Sequence, residues 1–195
     1  MATYRAIAAT CEAIVSVLRQ SWRPELFNDA PLTFQVYRTD NFTNPMTTGV
    51  SLFLYDVTIN AVQRTPPGKL RPDGRRRRPE LPLDLHFILT PWAREASLEQ
   101  EILGWMMRTL EDFPLLGSGL LNTFGSGIFT EEESVEVLNG QLSREEMFRI
   151  WDVLPGDYRI SMPYLARVVR IESELDTRSD GVVLIRDLGF GVVKD

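Results

Sequence analysis

With 195 residues, 44% of them hydrophobic and 25% charged, the chain has the make-up of one soluble domain, or a domain with an appendage, and is not disordered as a whole. A formal net charge of −6 gives no general attraction to nucleic acid or an anionic membrane, and a single Cys11 with a single histidine excludes an intrachain disulfide and a closed Cys/His zinc site. No apolar run approaches the roughly 18 residues of a membrane span, and residues 6–17 are broken by Glu12 with no cleavage site after them, so a reduced chain made in the cytoplasm without a signal peptide is expected.

Ile7, Cys11, Ile14, Val15 and Leu18 recur at helical spacing and predict a helix that Trp22 extends and Pro24 ends, with Thr10, Glu12, Ser16, Arg19 and Gln20 mostly on its other sides. Cys11 falls on the apolar face and reads as a small, inert core residue. Leu32, Phe34 and Val36 then alternate with Thr33, Gln35 and Tyr37 as in a half-buried strand. Residues 50–59 predict a longer strand, with Leu52 and Leu54 on one face and Phe53, Tyr55, Val57 and Ile59 on the other. Apolar residues on both faces suggest a central strand, covered by helices on one side and by a partner on the other. The clearest alternation is Leu81, Leu83, Leu85, Phe87 and Leu89, with Asp84, His86 and Ile88 opposite.

Between these two strands, residues 64–79 hold four prolines, two glycines and seven arginines or lysines, which reads as a long exposed basic loop. A capping box of Ser97 and Gln100 is expected to open a helix with the stripe Leu98, Ile102, Trp105, Met106, Leu110 and Phe113, stopped by Pro114. Residues 115–127, with four glycines and two serines, are expected to be a mobile or docking loop. A short strand at 134–138, turned by Asn139-Gly140, precedes a second capping box, Ser143 to Glu146, opening a helix with Met147, Ile150 and Trp151. A strand at 164–171 follows, and 182–193 is read as a terminal strand or arm. The pattern predicts an α+β fold: a single domain over 1–195, with a mostly antiparallel or mixed sheet and flanking helices.

The run Val50-Ser-Leu-Phe-Leu-Tyr55-Asp-Val-Thr-Ile-Asn60-Ala-Val-Gln-Arg64 resembles the first signature of the cap proteins that end the tail tube of extracellular contractile injection systems, such as antifeeding-prophage particles. The similarity continues through the basic loop, Leu81-Pro-Leu-Asp-Leu85-His-Phe-Ile-Leu-Thr90, Gln100-Glu-Ile-Leu-Gly104 and Phe113-Pro-Leu-Leu116. It extends to Leu142-Ser-Arg-Glu-Glu146, Trp151, Tyr158-Arg-Ile-Ser161 and residues 164–173, so nearly the whole chain is covered in order. Phe87 and Pro91-Trp92 depart from the pattern, which has a tyrosine and a smaller residue there. The resemblance implies a fold like that of phage tail terminators and a subunit that forms a ring, a homo-hexamer, on the end of the inner tube. The ring would stop tube growth, touch the last sheath ring, and need no cofactor. Its partners would be other copies of itself, the tube protein and the sheath protein, within a particle released from the cell. A tail completion protein of a true bacteriophage shares this architecture.

Two other readings compete. Arg75, Arg76, Arg77 and Arg78, with Lys69 and Arg71, form a basic patch of the kind that binds nucleic acid. No aromatic residue interleaves with them, so stacking on bases is unsupported. Contact with a neighbouring protein fits better, with Glu131, Glu132 and Glu133 as the acidic surface if the neighbour is another copy. An enzyme would rest on Asp84 and His86, two apart on one strand face, with no nucleophile or second base, and is not expected.

Overall fold

Period-two alternation of large apolar residues dictates the centre of the molecule, a six-stranded sheet. In the computed structural model, which describes residues 2–27, 29, 31–64 and 79–173, the strands are β1 (Thr33–Tyr37), β2 (Gly49–Ile59), β3 (Leu81–Trp92), β4 (Leu115–Gly117), β5 (Ser134–Asn139) and β6 (Met162–Ile171). They lie in the order β1-β2-β3-β6-β5-β4. β1 runs parallel to β2 and every other pairing is antiparallel. The helices are α1 (Ala6–Ser21), α2 (Ala96–Asp112), α3 (Ser118–Leu121) and α4 (Arg144–Val153). This is the mixed sheet with flanking helices that the sequence predicts.

The helices divide between the two faces. Ala6, Ala9, Ala13, Ile14 and Leu18 of α1, Ile102, Met106 and Leu110 of α2, and Leu121 of α3 are buried with Leu52, Leu85, Phe87 and Leu89 of the sheet. Three alanines in the α1 stripe leave little side chain to hold the helix off the strands. Thr10, expected on a polar side, is fully buried, and its hydroxyl donates to the Ala6 carbonyl at 2.8 Å, which meets its hydrogen-bonding need inside the helix. On the opposite face α4 and the short helical turn Thr39–Phe42 close a second core of Tyr37, Phe42, Ile88, Trp92, Met147, Trp151 and Leu154. Phe53 and Tyr55 pack against it, so the second face of β2 is covered there by the chain's own helix where a partner was expected. Two polar links serve this side: the Trp92 indole N–H donates to Ser51 Oγ at 2.8 Å, and the Thr90 and Ser161 hydroxyls meet at 2.8 Å.

Two β-bulges set the far end of the sheet. On β2, Leu54 lies opposite Phe87 but Asp56 lies opposite His86, leaving Tyr55 as the extra residue. The parity then inverts: Val57 and Ile59 pair with Leu85 and Leu83 and share the face of Leu52 and Leu54. The sequence pattern put them on the face of Phe53; the bulge overturns that grouping. On β6, Leu83 pairs with Val169 and Leu85 with Ala166, so Arg167 and Val168 stand against Asp84 alone. Val168 takes the left-handed φ of 58°, costly for a β-branched residue, and its N–H donates to Asp84 Oδ1 at 2.9 Å.

Three local expectations need correction. α2 begins at Ala96, with the Glu99 N–H bonded to the Glu95 carbonyl, so Ser97 lies inside the first turn and the Ser97–Gln100 capping box does not form. At the other end of α2, Phe113 is exposed and Trp105 is half-buried, edge-on to Trp22 at 4.8 Å between ring centroids. Residues 115–127 are no loose loop: they contain β4 and α3, with Leu116 and Leu121 fully buried. The Asn122 side chain then donates to the Phe129 carbonyl and accepts from its N–H, both at 2.9 Å. By contrast, the Ser143–Glu146 box forms as expected. Ser143 accepts from the Glu146 N–H, the Glu146 carboxylate accepts from the Ser143 N–H at 2.8 Å, and the serine bonds hold Glu146 below the usual glutamate range.

Candidate interaction surfaces

The residues singled out in the sequence fall into three places. Arg71 and Arg75 to Arg78 lie outside the described residues. Glu131 and Glu132 are exposed in the turn leading into β5. Glu133 is half-buried and structural: its carboxylate accepts from the Ala2 N–H at 3.2 Å and from the Thr130 N–H and hydroxyl at 2.7 and 3.0 Å. It fastens the start of the chain to the approach of β5.

Around Glu132 and Glu133 the strands β4, β5 and β6 shape an open groove of about 620 Å³. Glu80, Glu132, Glu133, Glu136, Arg167 and Arg170 supply its charges. Arg170 reaches Glu80 at 3.7 Å and donates to Gln63 Oε1 at 3.3 Å, tying the two ends of the β2–β3 connection to β6. Sequence reading missed Glu80, Glu136, Arg167 and Arg170, since single charges on strand faces look like solvated surface until pairing brings them together.

Asp84 and His86, the residues of the enzyme reading, do different work. The Asp84 carboxylate is taken by the Val168 N–H and by the Asn60 side-chain amide, each at 2.9 Å. His86 Nε2 meets the Thr58 hydroxyl at 3.1 Å, and the ring lies 6.2 Å from that of Tyr55. Cys11 is buried, and burial with Glu12 nearby pushes its thiol up to about 12, far from a reactive thiolate. Among the described residues, no group of three or more His, Cys, Asp and Glu is placed to hold a metal ion.

Apolar side chains form the other exposed features. Val57, Ile59 and Leu81 are 39%, 52% and 39% exposed at the end of the β2–β3 pair. Phe148 and Tyr158 meet edge to face at 5.2 Å beside α4, with Val153 and Ile160 also exposed. Phe113 and Leu115 stand out at the β4 edge. Such patches suit broad contact with other proteins, where a cleft with converging titratable groups would suit chemistry.

Residues 9–185 match the family model of the Pvc16 N-terminal domain. No curated protein sequence is significantly similar to the chain. Among solved structures, the fold is similar to the PVC sheath/tube terminator of an extracellular contractile injection system in its extended state. That match has a TM-score of 0.60 and 16% identity over 100% of this chain and 65% of the other. The fold is also similar to the tube-terminating cap of the anti-feeding prophage, with a TM-score of 0.59 and 14% identity over 93% of this chain and 59% of the other. The chain therefore spans less than two thirds of the length of either structure, and at these identities the likeness is one of fold.

Proposed function

Because the chain belongs to the Pvc16 N-terminal domain family, we propose that it is a structural cap subunit that ends the inner tube of a contractile injection particle. The observation that carries this reading is a fold shared over the whole chain with a sheath/tube terminator. In this reading the chain acts as one terminator domain, made in the cytoplasm and carried out with the particle. Six copies close into a ring on the tube end, stop tube growth and join tube to sheath. A closed ring needs two different complementary surfaces on each subunit. The exposed apolar groups beside α4 and at the β4 edge lie on separate parts of the molecule and supply candidates.

Labelling the chain in intact particles tests the proposal. Imaging should find it at one end of each particle, in a single layer, and particles assembled without it should have tubes of irregular length. Label spread along the tube, or tubes of normal length without the chain, would refute the cap reading.

The charged groups would act at the subunit boundary. Arg71 and Arg75 to Arg78 of one copy would meet carboxylates such as Glu131 and Glu132 of the next, with Glu133 behind them holding the turn, and arginine is suited to two-pronged carboxylate contact. Exposed ion pairs contribute only about 0–1 kcal/mol each, so they would tune docking and salt sensitivity more than folding. Changing Arg75 to Arg78 together to serine is expected to leave the melting temperature unchanged and to release the cap at lower salt than the parent. Retention of the cap at high salt would count against the contact.

A further inference from the structure

The patch of Val57, Ile59 and Leu81 is a continuation of the main core beyond its helical cover. The β2 bulge turns Val57 and Ile59 to the face of Leu83 and Leu85, which are themselves buried. Leu81 lies two residues along β3 from Leu83 on the same face and pairs with Ile171 of β6. Three neighbouring aliphatic side chains left in water on a sheet face call for a cover, unlike single exposed leucines scattered over a surface.

The chain's own continuation starts beside this patch. The described residues end at Ser173, two past the Ile171 that pairs with Leu81. Residues 174–181, Glu-Leu-Asp-Thr-Arg-Ser-Asp-Gly, are mostly polar, and Val182, Val183, Leu184, Ile185, Leu188, Phe190, Val192 and Val193 follow. From β6 across β3 to β2 is two strand spacings, about 10 Å, whereas a spacer of this length reaches up to about 27 Å when extended. A short tether of this kind sets an effective concentration on the order of millimolar, which favours the same chain over a second one. We infer that residues 182–193 dock in cis on the Val57, Ile59 and Leu81 patch. The inference is independent of the cap reading.

Thiol accessibility in the full-length chain tests it, because Cys11 is buried and contributes little background. In an Ile59→Cys variant, alkylation of the introduced thiol is followed by mass spectrometry in dilute protein. The same variant is then made with Val182→Ser, Val183→Ser, Leu184→Ser and Ile185→Ser. The serine changes are expected to speed alkylation at least tenfold. Equal rates overturn the inference, as does a rate in the parent that slows with rising protein concentration, the mark of a second copy's segment. As an arm that leaves the apolar run in place, Ile59→Cys is paired in turn with Val182→Cys, Val183→Cys, Leu184→Cys and Ile185→Cys. Mild oxidation is expected to link at least one pair within a monomer; only interchain products, or none, overturn it.

Discussion

Replacing Phe87 with alanine is expected to lower the free energy of unfolding by about 3–5 kcal/mol, the range for deleting a large buried aromatic side chain. Phe87 is fully buried in the middle of β3, between Leu54 on β2 and Tyr164 on β6. Its ring stacks on that of Tyr164 at 5.9 Å between centroids with 17° between planes. The cavity left by alanine lies between the side chains of Leu54 and Tyr164, whose strands cannot draw together to fill it without breaking ladder hydrogen bonds. Since domains have only about 5–15 kcal/mol in total, the variant should unfold at a much lower urea concentration, with an unchanged dependence on denaturant. An unchanged midpoint would refute the placement of Phe87 in the core.

The second large effect is expected at Asp84. Its carboxylate accepts the N–H of Val168, held at a φ of 58°, and a side-chain N–H of Asn60. Hydrogen bonds to a charged group contribute about 1.5–3 kcal/mol, and left-handed backbone at such a residue costs about 1–3 kcal/mol. Asp84→Ala removes the compensation and leaves the strain, so a loss of about 2–3 kcal/mol is expected in the same urea assay. Val168→Gly removes the strain itself. The double variant should therefore lose less than the sum of the two single changes, and strict additivity would show that the carboxylate does not support the bulge.

The sequence carried the sheet and the helices well because both faces of the pattern are strongly marked. Leu81 to Leu89 alternates without a break, and Ser143 with Glu146 is a local signal whose two bonds need nothing from the rest of the chain. The bulge at Tyr55 was not legible, since either parity of residues 50–59 gives an apolar stripe and only pairing with β3 selects between them. Residues 115–127 misled for a different reason. Glycine lowers local preference for any element, but Leu116 and Leu121 gain enough from burial to order the segment. Of the candidate contact residues, Glu131 and Glu132 are exposed as a contact surface requires, whereas the bond of Glu133 to Ala2 joins residues far apart in the chain and could not be read in advance.

The anchoring of Ala2 bears on how the chain comes to be folded during synthesis. The Ala2 carbonyl accepts from the Glu172 N–H at 2.9 Å, Ala2 forms a parallel bridge with Ile171, and α1 lies across strands that include β6. The first helix therefore cannot complete its packing until some 170 residues have emerged from the ribosome. At about 5–20 residues per second, its apolar stripe waits on the order of ten to thirty seconds for its last partner. Contacts so distant along the chain place this fold among the slower ones to form.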